Sequence, residues 1–585
     1  MRAAIFGAIS VPLLSAAGIP EVLFEDNFES ADWEPPSVRK NGCYVIYKAE
    51  RITLPDKPPG SGSEKGNALR LDRSALRMTG HRRVIGQFDR PAVSGEHLRL
   101  EFDLCVENGS ALQFGISSRD GGIPAGKGLF LAAIVSFSES GAVSVYDGSR
   151  HNRVPGISLS SGKWQRCSLD FQAGSDHLIL SIGTERAVVQ GPFAAGVESI
   201  NRVDGFFVST AADEVSGTFD NIRAAIVENP ALAKLPVFGK ITWTQSAMPF
   251  IRKGPKGGIS GVGMCDAGNR ICVAGGFLGK EALGDGSGAL NGKTSKWAYA
   301  YNPENQDWTQ LPDLPKRAEY GRMTAHGDKL YFLGGAAYDL REQGLGPYNP
   351  SAGMVSLRLD KADDGWRTEP PMKEPRTHFA LGNTGQLFIA AGGNVYDDAE
   401  NGYSQKTLRN LTEIFDPSEP AKGWQLGSPM PPPARGWTAS VGAGGRLWVF
   451  GGVTFEPSGK KKSLRRRLSE TLSYDPVTDA WTRHAPAPLE ISGWGAAAYS
   501  DRYIILVGGY GSVPGQPPEM NAQPLVYDIQ QDRWMRFAHS ALPPAGAFND
   551  PGVAISGNSL YVGGGEGYGG SHYNHWLIGQ IEEHP

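Results

Sequence analysis

The sequence predicts an all-β chain in two parts, a β-sandwich followed by a six-bladed β-propeller, and three observations carry that expectation. Apolar runs are short, mostly four to eight residues, and are punctuated by turns drawn from 77 glycines and 41 prolines, which favours strands over helices. At 585 residues the chain exceeds what one ordinary core organises, so more than one domain is expected. A glycine doublet ends a short apolar strand six times, at Gly275-Gly276, Gly334-Gly335, Gly392-Gly393, Gly451-Gly452, Gly508-Gly509 and Gly564-Gly565, in steps of 59, 58, 59, 57 and 56 residues. A period of that length marks a repeat architecture.

Each copy supplies four strands. The innermost precedes the doublet strand, the second ends in the doublet, the third ends in an aspartate or asparagine, and the fourth carries a tryptophan. The last two markers run Asn302/Trp308, Asp360/Trp366, Asp416/Trp424, Asp475/Trp481 and Asp528/Trp534. Glycine at the doublet permits close backbone approach near a crowded axis and φ values other residues avoid. Tryptophan on the outer strand offers an apolar plate to wedge between blades. The sixth copy ends at the strand His575–Ile581 without its tryptophan strand, and the missing piece stands before the first copy, at 241–248 with Trp243. That strand should complete the last blade and leave no open edge.

These residues resemble the Kelch motif: a glycine doublet after an apolar strand, a Tyr-Asp pair, a tryptophan, then a Met-Pro or Leu-Pro turn, over residues 240–585. The resemblance implies a propeller of the galactose-oxidase-like and sialic-acid-mutarotase superfamily, whose members include sugar-acid mutarotases, copper oxidases and scaffolds without catalysis. The sixth copy, PGVAISGNSLYVGGGEGYGGSHYNHW, is similar to stretches of Kelch-type sialic acid mutarotases. The copper chemistry needs a cysteine crosslinked to a tyrosine, and the only propeller cysteines are Cys265 and Cys272. No cofactor is therefore expected in the propeller.

Residues 20–228 read as a sandwich with alternating strands at Leu98–Val106, Ser110–Ser118, Ala142–Ser149, Leu178–Gly183 and Gly205–Thr210. The segment opens with FEDNFES and ends with TFDNI, a pairing that resembles concanavalin-like, lectin-type jelly rolls. Where those ends meet, Glu25, Asp26 and Asp220 would suit a structural Ca²⁺, the alternative being acidic turn residues and caps. Residues 229–239 read as a linker.

The first 17 residues have the form of a signal peptide: Arg2, an apolar stretch from Ala3 to Leu14, then Ser15-Ala16-Ala17. A secreted or periplasmic protein is expected, which permits disulfides. Cys265 and Cys272 fall on two adjacent strands and are expected to bridge, with buried thiols as the alternative. Cys105 and Cys167 are a second candidate pair. The formal net charge of −4 gives no field favouring nucleic acid or an anionic membrane, and no segment after the first reads as membrane-spanning.

In a propeller, loops entering the inner strands and loops following the doublets open on one face. That places Arg317, Glu319, Tyr320, Arg322, Arg376, His378, Arg435, Trp437, Trp494, Asn549 and Asp550 beside Tyr338, Asn394, Tyr396, Tyr510, Glu566 and Tyr568. Convergent arginines read carboxylates and aromatic plates stack on sugars, so Arg317, Arg322, Arg376, Arg435, Trp437, Trp494, Asn549, Asp550 and Tyr568 are candidates to bind an anionic sugar. Glu566 and His378 are candidates to move its protons. The plainer alternative makes the arginines ties between loops and Trp437 and Trp494 packing. The basic run Lys460–Lys462 and Arg465–Arg467 lies on the same face, as a solvated loop or as a contact for an anionic polysaccharide. Three functions follow: secreted carbohydrate binding or processing, a mutarotase or epimerase for a sialic-acid-like sugar, and a non-catalytic propeller that binds a protein partner.

Overall fold

A computed structural model describes the backbone of residues 21–26, 49–53, 67–72, 82–93, 97–106 and 112–117, and most of 131–585 apart from sixteen stretches or single positions in loops and at the C-terminus. The leader-like segment at 1–17 and Tyr568 lie outside the described residues.

The N-terminal part forms two antiparallel sheets. In one, His97–Val106 sits between Gln165–Gln172 and Ser216–Ile226. Its sequence alternates as a half-buried strand must: Leu98, Leu100, Phe102 and Leu104 are at most 1% exposed, while Arg99 and Glu101 reach solvent. Strand Glu21–Asp26 pairs with the far end of Ser216–Ile226, so the backbones of the first and last strands run side by side. The side chains of Glu25, Asp26 and Asp220 lie outside the described residues. The second sheet runs from Arg82–Val93 through Ser199–Phe207, Leu112–Ser117, Leu131–Phe137 and Ala142–Tyr146 to His151–Ser158.

The segment expected as a linker is built into the propeller. Pro230–Ala233 is a helical turn whose Leu232 is 2% exposed, inside a cluster of residues from the fourth and fifth blades. The strand that follows, Val237–Ala247, begins earlier than the sequence suggested because Val237 and Gly239 bridge in parallel to Arg536 and Phe537.

Six four-stranded antiparallel blades follow one another around an axis, the last two joined into one larger sheet by the parallel bridge from Val237–Ala247 to Arg533–Phe537. Their innermost strands are Gly263–Asp266, Arg322–His326, Ala380–Asn383, Ala439–Ala443, Glu490–Ala498 and Gly552–Ser556 for blades one to six. The outermost strand of blade six is Val237–Ala247, paired with His575–Glu583 so that Trp243 opposes Gly579.

Two features lock each blade to the next. The second glycine of every doublet donates its N–H to a carbonyl of the following blade: Gly276 to Ala318, Gly335 to Arg376, Gly393 to Arg435, Gly452 to Ile491, Gly509 to Phe548, and Gly565 to Ile259, at 2.7–3.0 Å. All twelve doublet residues have positive φ, and a Cβ at Gly393 would stand 2.7 Å from that of Phe379. On the outside, the indole N–H groups of Trp366, Trp424, Trp481 and Trp534 donate to Pro312, Pro370, Ser428 and Ala485 of the preceding blade. Each ring is thereby wedged between blades with its one polar atom satisfied.

Cys265 and Cys272 stand directly opposite one another, but the expected bridge is absent and both are thiols. Cys272 is wholly buried among Ala274, Ala298 and Leu330, with Cys265 packed against the same cluster. Burial pushes both thiols up, Cys272 to about 12, so they behave as small apolar side chains. No bond joins Cys105 to Cys167 either.

Candidate functional site

Loops entering the inner strands and loops leaving the doublets do share a face, and they are stitched together there by bridges Glu319↔Ala336, Thr377↔Asn394, Gly436↔Val453 and Asn549↔Glu566. At the centre of this face six residues, one per blade, form a closed belt of backbone hydrogen bonds. Tyr320 N–H donates to Gly261 O (2.8 Å), His378 to Tyr320 (3.4 Å), Trp437 to His378 (3.0 Å), Gly493 to Trp437 (3.0 Å), Asp550 to Gly493 (2.5 Å) and Gly261 to Asp550 (2.9 Å). All six have φ between +53° and +64°, a conformation costly for tyrosine, histidine and tryptophan that persists where the surroundings enforce it. Tyr320, His378, Trp437 and Asp550 were foreseen on this face. Gly261 and Gly493 were not, although each belt residue stands fourteen positions before its doublet, or fifteen in blade five.

The side chains of the belt lean over one another. The Tyr320 ring covers Gly261, the His378 ring stacks on Tyr320 at 3.9 Å, and Trp437 lies 4.1 Å from His378. His378 is 3% exposed. Desolvation, helped by the positive charges of Arg322 and Arg465, holds its pKa well below the usual imidazole value, so it is neutral. Across the axis, Asn549 Nδ2 donates to Asp550 Oδ2 at 2.7 Å. Burial, then repulsion from Glu566, pushes Asp550 up to about 8 against the pull of Arg322 and Arg465, and burial likewise raises Glu566. Both carboxyls therefore favour the protonated form near neutrality more than free side chains do.

The arginines divide. Arg376, fully buried, donates to Gly392 O (3.0 Å), Leu411 O (3.1 Å) and Glu413 Oε2 (2.6 Å). Arg435, also fully buried, pairs with Glu470 at 3.2 Å. Arg317 donates to Thr294 O. These three side chains tie neighbouring strands and loops, and the structure does not bring them together in the pit. Trp494 is 3% exposed, donates to Phe450 O and stacks with Trp534, a packing role. Arg322 alone reaches across the axis, donating Nε–H to Phe379 O of blade three and Nη2–H to Thr438 O of blade four.

Over the aromatic stack lies a side chain the sequence left in a basic loop. Val453–Glu456 and Leu464–Arg467 form a hairpin. Strand alternation turns Arg465 onto Trp437 (5.6 Å from its centroid) and Phe455 (6.0 Å), and Arg467 onto Tyr510 (4.4 Å). Arg466, on the other side, pairs with Glu456. The signal was present in the sequence: a basic run that alternates as a strand presents only every second charge to one surface. Between Tyr320, His378, Trp437 and Asp550 the remaining void is about 20 Å³. Beside it Tyr338, Tyr348 and Tyr396 form a ring cluster with centroids 4.8 and 5.0 Å apart.

No protein-family model matches the chain. Its C-terminal region is homologous to Kelch-repeat proteins. It is 26% identical over 233 residues to Kelch-like protein terF of Aspergillus terreus, covering 40% of this chain and 46% of the relative. It is 25% identical to alpha-scruin of Limulus polyphemus, covering 46% and 27%, and 23% identical to human Kelch-like protein 34, covering 40% and 41%. The chain thus spans less than half the length of each of these relatives.

Proposed function

We propose that this chain, homologous to Kelch-repeat proteins over its C-terminal region, is a non-catalytic scaffold that holds a protein partner on the hairpin-bearing face of its propeller. The observation that carries the reading is that Arg376 and Arg435, the arginines expected to read a sugar acid, are held in ties within the fold, while the six belt residues leave only about 20 Å³ among themselves. What the face offers instead is relief: a hairpin carrying exposed Leu464 (58%), Arg465 and Arg466. An apolar side chain flanked by cations suits an acidic partner segment with an apolar anchor. The leader-like first residues place the scaffold outside the cytoplasm in this reading, with Ca²⁺ at Glu25, Asp26 and Asp220 as a structural element of the first domain.

The test is chemical crosslinking in cells that express the chain, comparing wild type with R465E/R466E. A partner bearing an acidic segment, captured by wild type and lost in the double variant, is expected. A partner retained equally by both would overturn the assignment of the surface.

Carbohydrate binding is the second reading, favoured by the Tyr338–Tyr348–Tyr396 cluster, since tyrosine rings present apolar faces beside a polar hydroxyl. Binding of the full chain to a glycan array would support it. The mutarotase reading assigns the acid to Glu566, whose pKa is raised by burial. Accelerated anomer exchange of sialic acid by NMR, lost in E566Q, is the signal it requires.

A further inference from the structure

Behind the hydrogen-bonded belt the axis opens into a second space, a channel of about 240 Å³ walled by the inner strands of all six blades. Small and aliphatic residues, including Gly495, Ala496, Ala497 and Val553, are numerous in its wall, although most of the exposed lining is polar. The polar groups there are largely spent on one another: Asn383 Nδ2 donates to Thr324 Oγ1 and Ala325 O, and Ser440 Oγ donates to Leu381 O.

Arg322 is different. It borders both the channel and the small void at the belt, and two of its five N–H groups are given to Phe379 and Thr438, which leaves three. Arg322 is partly exposed, and desolvation of its guanidinium lowers its pKa to about 10. Its one charged helper is Asp550, itself raised to about 8 and so largely protonated at neutral pH. A partly desolvated cation without an ionised partner is costly, and an anion within reach of it lowers that cost.

We propose that the axial channel is a binding site for a short monocarboxylate, seated on the guanidinium of Arg322. A planar two-oxygen anion matches the fork geometry of arginine. One negative charge balances one cation, and the small and aliphatic residues of the wall accept a short carbon tail. Asp266 also lines the channel and has a pKa raised to about 6 by burial. The titratable groups that face the ligand or Arg322 are Asp266, Asp550, Arg322, the thiol of Cys265 and His378, which its burial keeps neutral. All either lose negative charge or stay unchanged as pH falls from 7.5 to 5.5. The carboxylate should therefore bind more tightly at pH 5.5.

The experiment titrates the full-length protein with acetate, and separately with pyruvate, in chloride-free buffer, following thermal stabilisation and broadening of the acetate methyl NMR signal. A dissociation constant of ~1 mM is expected for so small a ligand, tighter at pH 5.5 than at 7.5, and weakened about tenfold or more in R322Q. Should R322Q fail to fold, wild-type crystals grown with acetate decide, with density expected within hydrogen-bond distance of Arg322. No binding and no such density would overturn the proposal. Binding undiminished in a folded R322Q, or chloride or sulfate bound as tightly as acetate, would overturn it equally.

Discussion

At the scale of single residues, the candidate arginines show how one side chain type serves opposite ends. Arg376 and Glu413 are both wholly buried, and Lys373 N–H also donates to Glu413. Removing one partner strands the other, so R376A should cost about 3–5 kcal/mol in urea unfolding. R317A, which loses only a partly exposed hydrogen bond to Thr294 O, should cost about 1 kcal/mol. Equal losses would show that Arg376 is no more structural than Arg317. The sequence nominated Arg317, Arg376 and Arg435 for one face of the propeller, but it could not show what they touch. Glu413 and Glu470 lie 37 and 35 residues downstream of Arg376 and Arg435, and the pairing exists only once third strands dock beside the doublets. Arg322 differs because its own position points along the axis, where the partners belong to blades three and four.

At the scale of the elements, the repeat was legible because its markers are demanded by backbone geometry and packing. A doublet with positive φ beside the next blade's carbonyl admits little but glycine, and an inter-blade wedge needs a large ring with one donor. G393A should therefore destabilise by about 3 kcal/mol, combining left-handed strain with contacts at 2.7–2.9 Å. G385A, at φ +91° with nothing within 4 Å, should lose about 1 kcal/mol. Comparable melting shifts in the two variants would contradict the crowding at the doublet. The central belt was harder to see, since its members are Gly261, Tyr320, His378, Trp437, Gly493 and Asp550. Backbone conformation unites them while side-chain chemistry does not, so only their constant offset from the doublets marks them. The expected Cys265–Cys272 bridge failed for a related reason: register was readable, yet opposition across a ladder is a poorer criterion than bond geometry.

At the scale of the whole molecule, the N-terminal sheets are fastened to blade five. Gln172 donates from Nε2 to Met520 O and accepts at Oε1 from Met520 N–H, and His97 Nδ1 lies 3.2 Å from Glu519. Burial pulls the His97 pKa down, but the hydrogen bond and charge of Glu519 outweigh it, and the net pKa is raised. A raised histidine pKa stabilises the docked state fully below the unfolded value near 6.5, and that contribution is lost as pH rises through the folded value. Limited proteolysis between the domains should accelerate from pH 6 to pH 8, and H97Q should remove the dependence. A rate independent of pH in the wild type would sever this link.

The closed ring underlies the hydrogen-bonded belt, the axial channel and the proposed partner-binding face alike, and native-state hydrogen exchange of the six belt amides reads closure directly. Gly261, Tyr320, His378, Trp437, Gly493 and Asp550 should exchange with similar, near-global protection, because each N–H is held by the neighbouring blade. If Gly261, whose N–H donates to Asp550 O across the junction of the first and last blades, instead exchanges orders of magnitude faster than Trp437, the ring is open there and its closure is contradicted.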